Sequence, residues 1–191
     1  MKTLFLIVLI GYLVGSVSPA YILGRLLKKT DIRRHGLKYT GTSNVYHVLG
    51  LGPAVITAVF DLGKGLLAMF TASLLGASPS TISLAGFAAV VGHVFPFYLN
   101  FKGGQGTATA TGLLLYYLAL FYTRQWLPWE SLTILALCVL SFACISKRSE
   151  FVATVVLPIL GVMILVFSPT HLDMLVILSV MTFILLVNIR N

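Results

Sequence analysis

The residues best suited to chemistry fall in three short stretches. The sharpest is Gly92-His93-Val94-Phe95-Pro96, followed by Asn100-Phe101-Lys102-Gly103-Gly104-Gln105-Gly106-Thr107. A lysine and three glycines in a short loop before a helix can bring backbone N–H groups close to an oxyanion. The helix start adds partial positive charge, and Lys102 adds a full one. The lysine precedes the glycines, so the pattern is not a Walker loop; read locally, it is also compatible with a plain glycine turn between helices.

The second stretch is Asp31-Ile32-Arg33-Arg34-His35-Gly36, then Gly41-Thr42-Ser43-Asn44-Val45. Arginines beside hydroxyl and amide side chains suit an anion site. The same residues also suit an interfacial segment resting on anionic lipid heads. The third stretch is Asp61 with Lys64. Three residues apart on a helix they share a face and can pair, either as a structural ion pair or as the floor of a polar pocket. His93 is read as a hydrogen-bonded interior histidine or as a base. His35 and His47 lie in the basic connection and could join an anion site.

The elements that must position these residues are apolar. Of 191 residues 58% are hydrophobic and only 9% charged, against about 25% charged in a soluble domain. That composition excludes a water-soluble globular fold and points to one membrane-embedded domain over residues 1–191. Seven hydrophobic segments are expected, over Thr3–Leu27, Leu51–Leu75, Thr81–Leu99, Thr107–Tyr122, Ser131–Ile145, Phe151–Phe167 and Asp173–Ile189. The fourth and fifth are short of the roughly 20 residues a crossing needs. The first apolar run, Leu4 to Val14, is read as a retained helix rather than a signal peptide, because the pattern continues through Leu23 without a convincing cleavage site.

Seven crossings place Arg25, Lys28, Lys29, Arg33, Arg34, Lys38, Lys102, Lys147, Arg148 and Arg190 on one side, with only Lys2 and Arg124 on the other. The positive-inside rule makes the rich side cytoplasmic. The expected fold is therefore an all-α integral membrane bundle of seven transmembrane helices, N-terminus outside and C-terminus cytoplasmic. Cys138 and Cys144 face apart on one helix and are read as core residues. The acidic residues are too few and scattered for an oxygen-ligand metal site, so neither metal nor cofactor is expected.

Taken in order, Gly15-Ser16, Asp31-Ile32-Arg33, His35-Gly36, Gly41 to Val45, Leu49-Gly50, Gly52-Pro53-Ala54, Asp61-Leu62-Gly63-Lys64-Gly65 and Gly92 through Thr109 resemble the bacterial acyl-phosphate-dependent glycerol-3-phosphate acyltransferases, the PlsY family. The resemblance is strong over about the first 115 residues and rests on hydropathy beyond them. It implies a seven-helix fold with its active site facing the cytoplasm of a bacterial inner membrane. It implies transfer of a fatty acyl group from acyl phosphate to the 1-hydroxyl of glycerol 3-phosphate, giving lysophosphatidic acid. On this basis Lys102, Gly103, Gly104, Gln105 and Gly106, with Thr42, Ser43 and Asn44, are the expected phosphate-binding residues. Asp61 and Lys64 are a supporting pair, and His93 is the best candidate for a base.

The chain departs from the family pattern at several positions. Leu37-Lys38-Tyr39 replaces Ser-Gly-Asn, His47 replaces an arginine, and Gln105 replaces the second lysine of the glycine loop. Ser146-Lys147 and Glu150 align with the family's Thr-Arg and a later Ser, and Leu185 and Asn188 with its His-x-x-Asn. The usual Gly-Thr-Glu tail is absent, the sequence stopping at Asn191. These losses of donors and charge keep two other readings open: a non-catalytic relative that binds a phosphate-bearing lipid or a partner, and an organic-anion transporter.

Overall fold

The computed structural model describes residues 2–124, together with Ser179, Val180 and Thr182. The fifth and sixth hydrophobic segments, nearly all of the seventh, both cysteines and the substituted positions Ser146, Lys147, Glu150, Leu185 and Asn188 lie outside the described residues.

The described chain is helical: α1 (Lys2–Ser16), α2 (Pro19–Lys28), α3 (Thr42–Leu49), α4 (Leu51–Leu74), α5 (Pro79–Val94) and α6 (Thr107–Thr123), with 3₁₀ turns at Ile32–Arg34 and Phe97–Leu99. Among the described residues three spans are long and apolar enough to cross a membrane, Thr3–Lys28, Leu51–Leu74 and Pro79–Leu99. Their faces are arranged for lipid. On α4 the outward residues are large and apolar, with Val59 64% and Phe60 60% exposed, while Asp61, Lys64, Ala68 and Ala72 are buried along one stripe. Polar groups inside and bulky hydrocarbon outside is the pattern expected when the solvent is a bilayer.

Small residues set the helix spacing. α1 packs on α5 with Gly11 and Gly15 facing Ala85 and Ala89; a Cβ at Gly15 would sit 2.0 Å from the Ala89 carbonyl oxygen. α4 packs on α6 the same way, and a Cβ at Gly112 would lie 1.9 Å from Leu62 O. Lipid gives little hydrophobic drive between helices, so this close backbone contact carries the packing.

The first segment differs from the single helix expected over Thr3–Leu27. It is interrupted at Val17 and Ser18, and the reason is local. Ser18 is an N-cap whose Oγ accepts from Tyr21 N at 3.3 Å, and Pro19 takes the first helical position, a restart signal that outweighs apolar continuity. Backbone groups freed by the break are satisfied by side chains: Lys64 Nζ donates to Val17 O at 2.9 Å and to Gly15 O at 3.2 Å. The Tyr98 hydroxyl donates to Ser16 O at 3.0 Å and accepts from Ser18 N at 2.9 Å. Such irregular backbone is tolerated at membrane depth because protein encloses it.

The long connection after α2 is also more ordered than a basic loop. Asp31 caps the first 3₁₀ turn, accepting from Arg33 N at 3.0 Å. Its carboxylate pairs with the Arg33 guanidinium at 2.8 Å. Arg33 in turn donates to Leu99 O at 2.6 Å and Lys102 O at 3.3 Å, and lies over the Tyr21 ring. This clamp joins the connection to the turn ahead of the glycine loop. The side-chain hydrogen bond from Arg33 holds the Asp31 carboxyl below its ordinary value of 3.8.

Two predictions follow from this packing. Gly112→Val lowers thermal stability in detergent by about 1–3 kcal/mol through overpacking, whereas Gly63→Ala, with nothing within 4 Å of the new Cβ, does not; equal effects would contradict the α4–α6 contact. Because the folded-state pKa of Asp31 is depressed, its contribution is present at neutral pH and lost as pH falls through that depressed value. Asp31→Asn therefore lowers the melting temperature slightly at pH 7, and the gap to the wild type closes in acid; a gap independent of pH would remove the ion pair from the account.

Candidate active site

A cavity of about 270 Å³ lies where the two loops meet the helix bundle, lined by Tyr39, Gly41, Thr42, Ser43, Asp61, Leu62, His93, Gln105, Gly106, Thr107, Ala108 and Thr111. Two helices begin on it. α3 starts after Gly41 and α6 after Gly106, and neither has a side-chain cap. Their first internal backbone bonds run from Val45 N to Gly41 O and from Ala110 N to Gly106 O. The N–H groups of Thr42, Ser43 and Asn44, and of Thr107, Ala108 and Thr109, thus have no partner within their helices. Two sets of free amides, each at the positive end of a helix, converge on one space.

Local sequence explains both starts. Gly106 has φ +84°, a left-handed conformation that glycine adopts without a Cβ penalty, and this turns the glycine loop directly into α6. On the other side Asn44 fixes the approach to α3. Its Oδ1 accepts from Leu37 N at 2.7 Å, and its Nδ2 donates to Ile32 O at 3.0 Å and Tyr39 O at 2.8 Å. Asn44 is fully buried; its amide is engaged with the loop backbone and does not line the cavity. The two loops are joined where Thr40 N donates to Gly103 O at 3.3 Å.

The structure brings Thr42, Ser43, Asp61, His93, Gln105 and Gly106 together at the cavity wall. It places the other sequence candidates differently. Gly103 N donates to Val94 O at 2.9 Å and Gly104 N to His93 O at 3.1 Å, so two amides of the glycine loop are used to continue the end of α5. The amides free to meet a ligand sit one turn later, at the start of α6. Lys102 is exposed in the loop and is not a wall residue. Lys64 lies behind the wall, 2.8 Å from Asp61 Oδ1 and 2.8 Å from His93 Nδ1.

Some wall residues were given no ligand role from sequence, although Thr107 and Gly41 stand within the stretches named there. Thr107 and Thr111 are the clearest, and a signal for them exists: within Thr107-Ala108-Thr109-Ala110-Thr111 the spacing i, i+4 puts both on one helix face. Tyr39 and Gly41 had no comparable signal, since their place depends on the loop fold that Asn44 holds.

A second cavity, of about 430 Å³, adjoins the first and shares Thr42 and Ser43. The rest of its wall is Tyr46, His47, Leu51, Ala54, Val55 and Ala58, between α3 and α4. A polar chamber ringed by donors thus opens beside an apolar one. The arrangement suits an amphiphile with an anionic head.

Comparison with known proteins identifies the family. The family model for glycerol-3-phosphate acyltransferase matches residues 5–191. A glycerol-3-phosphate acyltransferase of Streptococcus thermophilus is 37% identical over 143 residues, 75% of this chain and 67% of that protein. One from Parasynechococcus marenigrum is 38% identical over 160 residues, 84% of this chain and 72% of that protein. The crystal structure of PlsY (YgiH), an integral membrane glycerol 3-phosphate acyltransferase, in its glycerol 3-phosphate form covers 100% of this chain and 90% of its own at TM-score 0.81 and 22% identity, a likeness of fold. Matched along almost its whole length, the chain belongs to the glycerol-3-phosphate acyltransferase family.

Proposed function

We propose that this acyltransferase carries a fatty acyl group from acyl phosphate to the 1-hydroxyl of glycerol 3-phosphate, giving lysophosphatidic acid and inorganic phosphate. The observation that carries the reading is the convergence of the α3 and α6 starts on the donor-ringed cavity. Family membership favours it over a lipid-binding relative or an anion transporter.

In this reading the cavity holds phosphate oxygens on the free amides of α3 and α6. The hydroxyls of Thr42, Ser43, Thr107 and Thr111 and the amide of Gln105 supply further donors. Asn44, Gly103 and Gly104 serve by shaping the two loops. Lys102 adds positive charge from the exposed loop, and Lys64 compensates Asp61 behind the wall. The acyl chain lies in the apolar cavity between α3 and α4, which places the acyl carbon near Thr42 and Ser43. The acceptor hydroxyl oxygen bonds to that carbon as the carbon–oxygen bond to phosphate breaks, and the hydroxyl proton leaves with the departing phosphate. Acyl phosphate is already activated, so positioning and charge stabilisation account for much of the rate.

Seven crossings, an outside N-terminus and a cytoplasmic C-terminus in a bacterial inner membrane complete the proposal, with the site facing the cytoplasm. Support comes from the basic residues of the loops that build the site, Arg33, Arg34, Lys38 and Lys102, which the positive-inside rule puts on the cytoplasmic side.

The test is acyl transfer from palmitoyl phosphate to labelled glycerol 3-phosphate by the purified protein in nanodiscs. The wild type forms lysophosphatidic acid. Ala108→Phe, which fills the polar cavity, lowers kcat/KM by about 100-fold or more with little change in melting temperature. No product from folded wild-type protein would refute the reading.

A further inference from the structure

We infer that Lys64 fixes His93 in the Nε2–H tautomer, so that His93 offers the polar cavity a hydrogen-bond donor and not a base. The argument starts from what surrounds the lysine. Its Nζ lies 2.8 Å from Asp61 Oδ1, 2.8 Å from His93 Nδ1, 2.9 Å from Val17 O and 3.2 Å from Gly15 O. The Asp61 carboxylate, 2% exposed, pairs with the amine as an ammonium. An ammonium has three N–H donors and no acceptor, and its hydrogen bonds go to Val17 O, Gly15 O and His93 Nδ1. Against that third donor Nδ1 must present its lone pair. Asp61 Oδ1, at 3.5 Å from Nδ1, lies beyond a normal hydrogen bond. A proton on Nδ1 would point at the ammonium.

With Nδ1 accepting, the neutral ring carries its proton on Nε2. That side faces the glycine loop. A Cβ at residue 104 would come within 2.3 Å of Nε2, so Gly104 is what leaves the edge of the ring clear. His93 is 6% exposed and lines the 270 Å³ cavity. No hydrogen bond to its Nε2 is found among the described residues. The Nε2–H is thus a preset donor for an anionic oxygen, added to the helix-start amides. Its lone pair is already committed to Lys64, leaving no site to take the acceptor's proton. Lys64 is a positioning residue, acting through His93. This inference rests on the acyl-transfer reading for its target but not for its geometry.

Two experiments test it separately. Nitrogen-15 labelling of histidine in the nanodisc-embedded wild type, with the His93 signals assigned by their loss in His93→Gln, reads the tautomer without any turnover. The expected state is Nε2–H; an Nδ1–H ring in the folded protein overturns the inference even if the enzyme is active. An inactive but Nε2–H protein would instead sink the acyl-transfer reading alone. In the acyl-transfer assay, His93→Ala loses about 10²–10³ in kcat, the usual cost of one preorganised donor. His93→Gln keeps an N–H near the Nε2 position and stays within about tenfold of the wild type. If the Gln variant is as inactive as the Ala variant, a donor role is excluded and a base is restored. Titration of the same variants with inorganic phosphate separates a donor to bound phosphate, whose affinity falls in His93→Ala, from a donor to the developing oxyanion, whose loss appears in kcat alone.

Discussion

The buried ammonium of Lys64 is the constraint to which the rest of the structure answers. It sits on a membrane-spanning helix, 6% exposed, where an unpaired charge would be expelled or would prevent folding. Its partners come from three separate parts of the chain: Asp61 on the same helix, the interrupted first span through Gly15 and Val17, and His93 near the end of α5. The break in the first span and the burial of the lysine are therefore complementary. The break frees carbonyls that hydrocarbon cannot satisfy, and the lysine needs acceptors that hydrocarbon cannot supply. Removing one partner of such a pair typically costs about 3–5 kcal/mol, because the other is left buried and uncompensated.

From that knot the site can be traced outward. His93 is held at its inner nitrogen and faces the glycine loop with its outer one. The loop spends Gly103 and Gly104 on continuing α5, then uses Gly106 to start α6 on the cavity. Asn44 and the Asp31–Arg33 clamp bring the start of α3 to the opposite wall. Among the described residues the walls carry fixed donors and no mobile cation, since Lys102 lies off the wall. In the proposed reading such a site holds phosphate by preorganised dipoles, which need little rearrangement when charge develops.

Much of this was legible in sequence, and the limits have physical causes. Composition alone demanded a membrane protein, and the spacing of Asp61 and Lys64 is the spacing of a helical ion pair. The glycine run lies in the loop that borders the cavity, through Gln105 and Gly106. Which of its amides would be free was not readable, because that depends on Val94 O and His93 O accepting from Gly103 and Gly104, a tertiary matter. Asn44 looked like a ligand because an amide beside a helix start is good at both jobs; its burial and three backbone partners are tertiary features that the sequence does not carry. The first-span break was written in Ser18-Pro19, a capping pair inside an apolar run, but hydropathy averages over such pairs. His93 had the right chemistry for a base, and only the position of Lys64 against Nδ1 argues otherwise.

The most direct measurement is a structure of the nanodisc-embedded protein saturated with glycerol 3-phosphate. The account predicts phosphate density inside the 270 Å³ cavity, bonded to the first-turn amides of α3 and α6 and within reach of His93 Nε2. Phosphate held instead on the exposed side chains of Arg34, Lys38 or Lys102, with the cavity vacant, would contradict it.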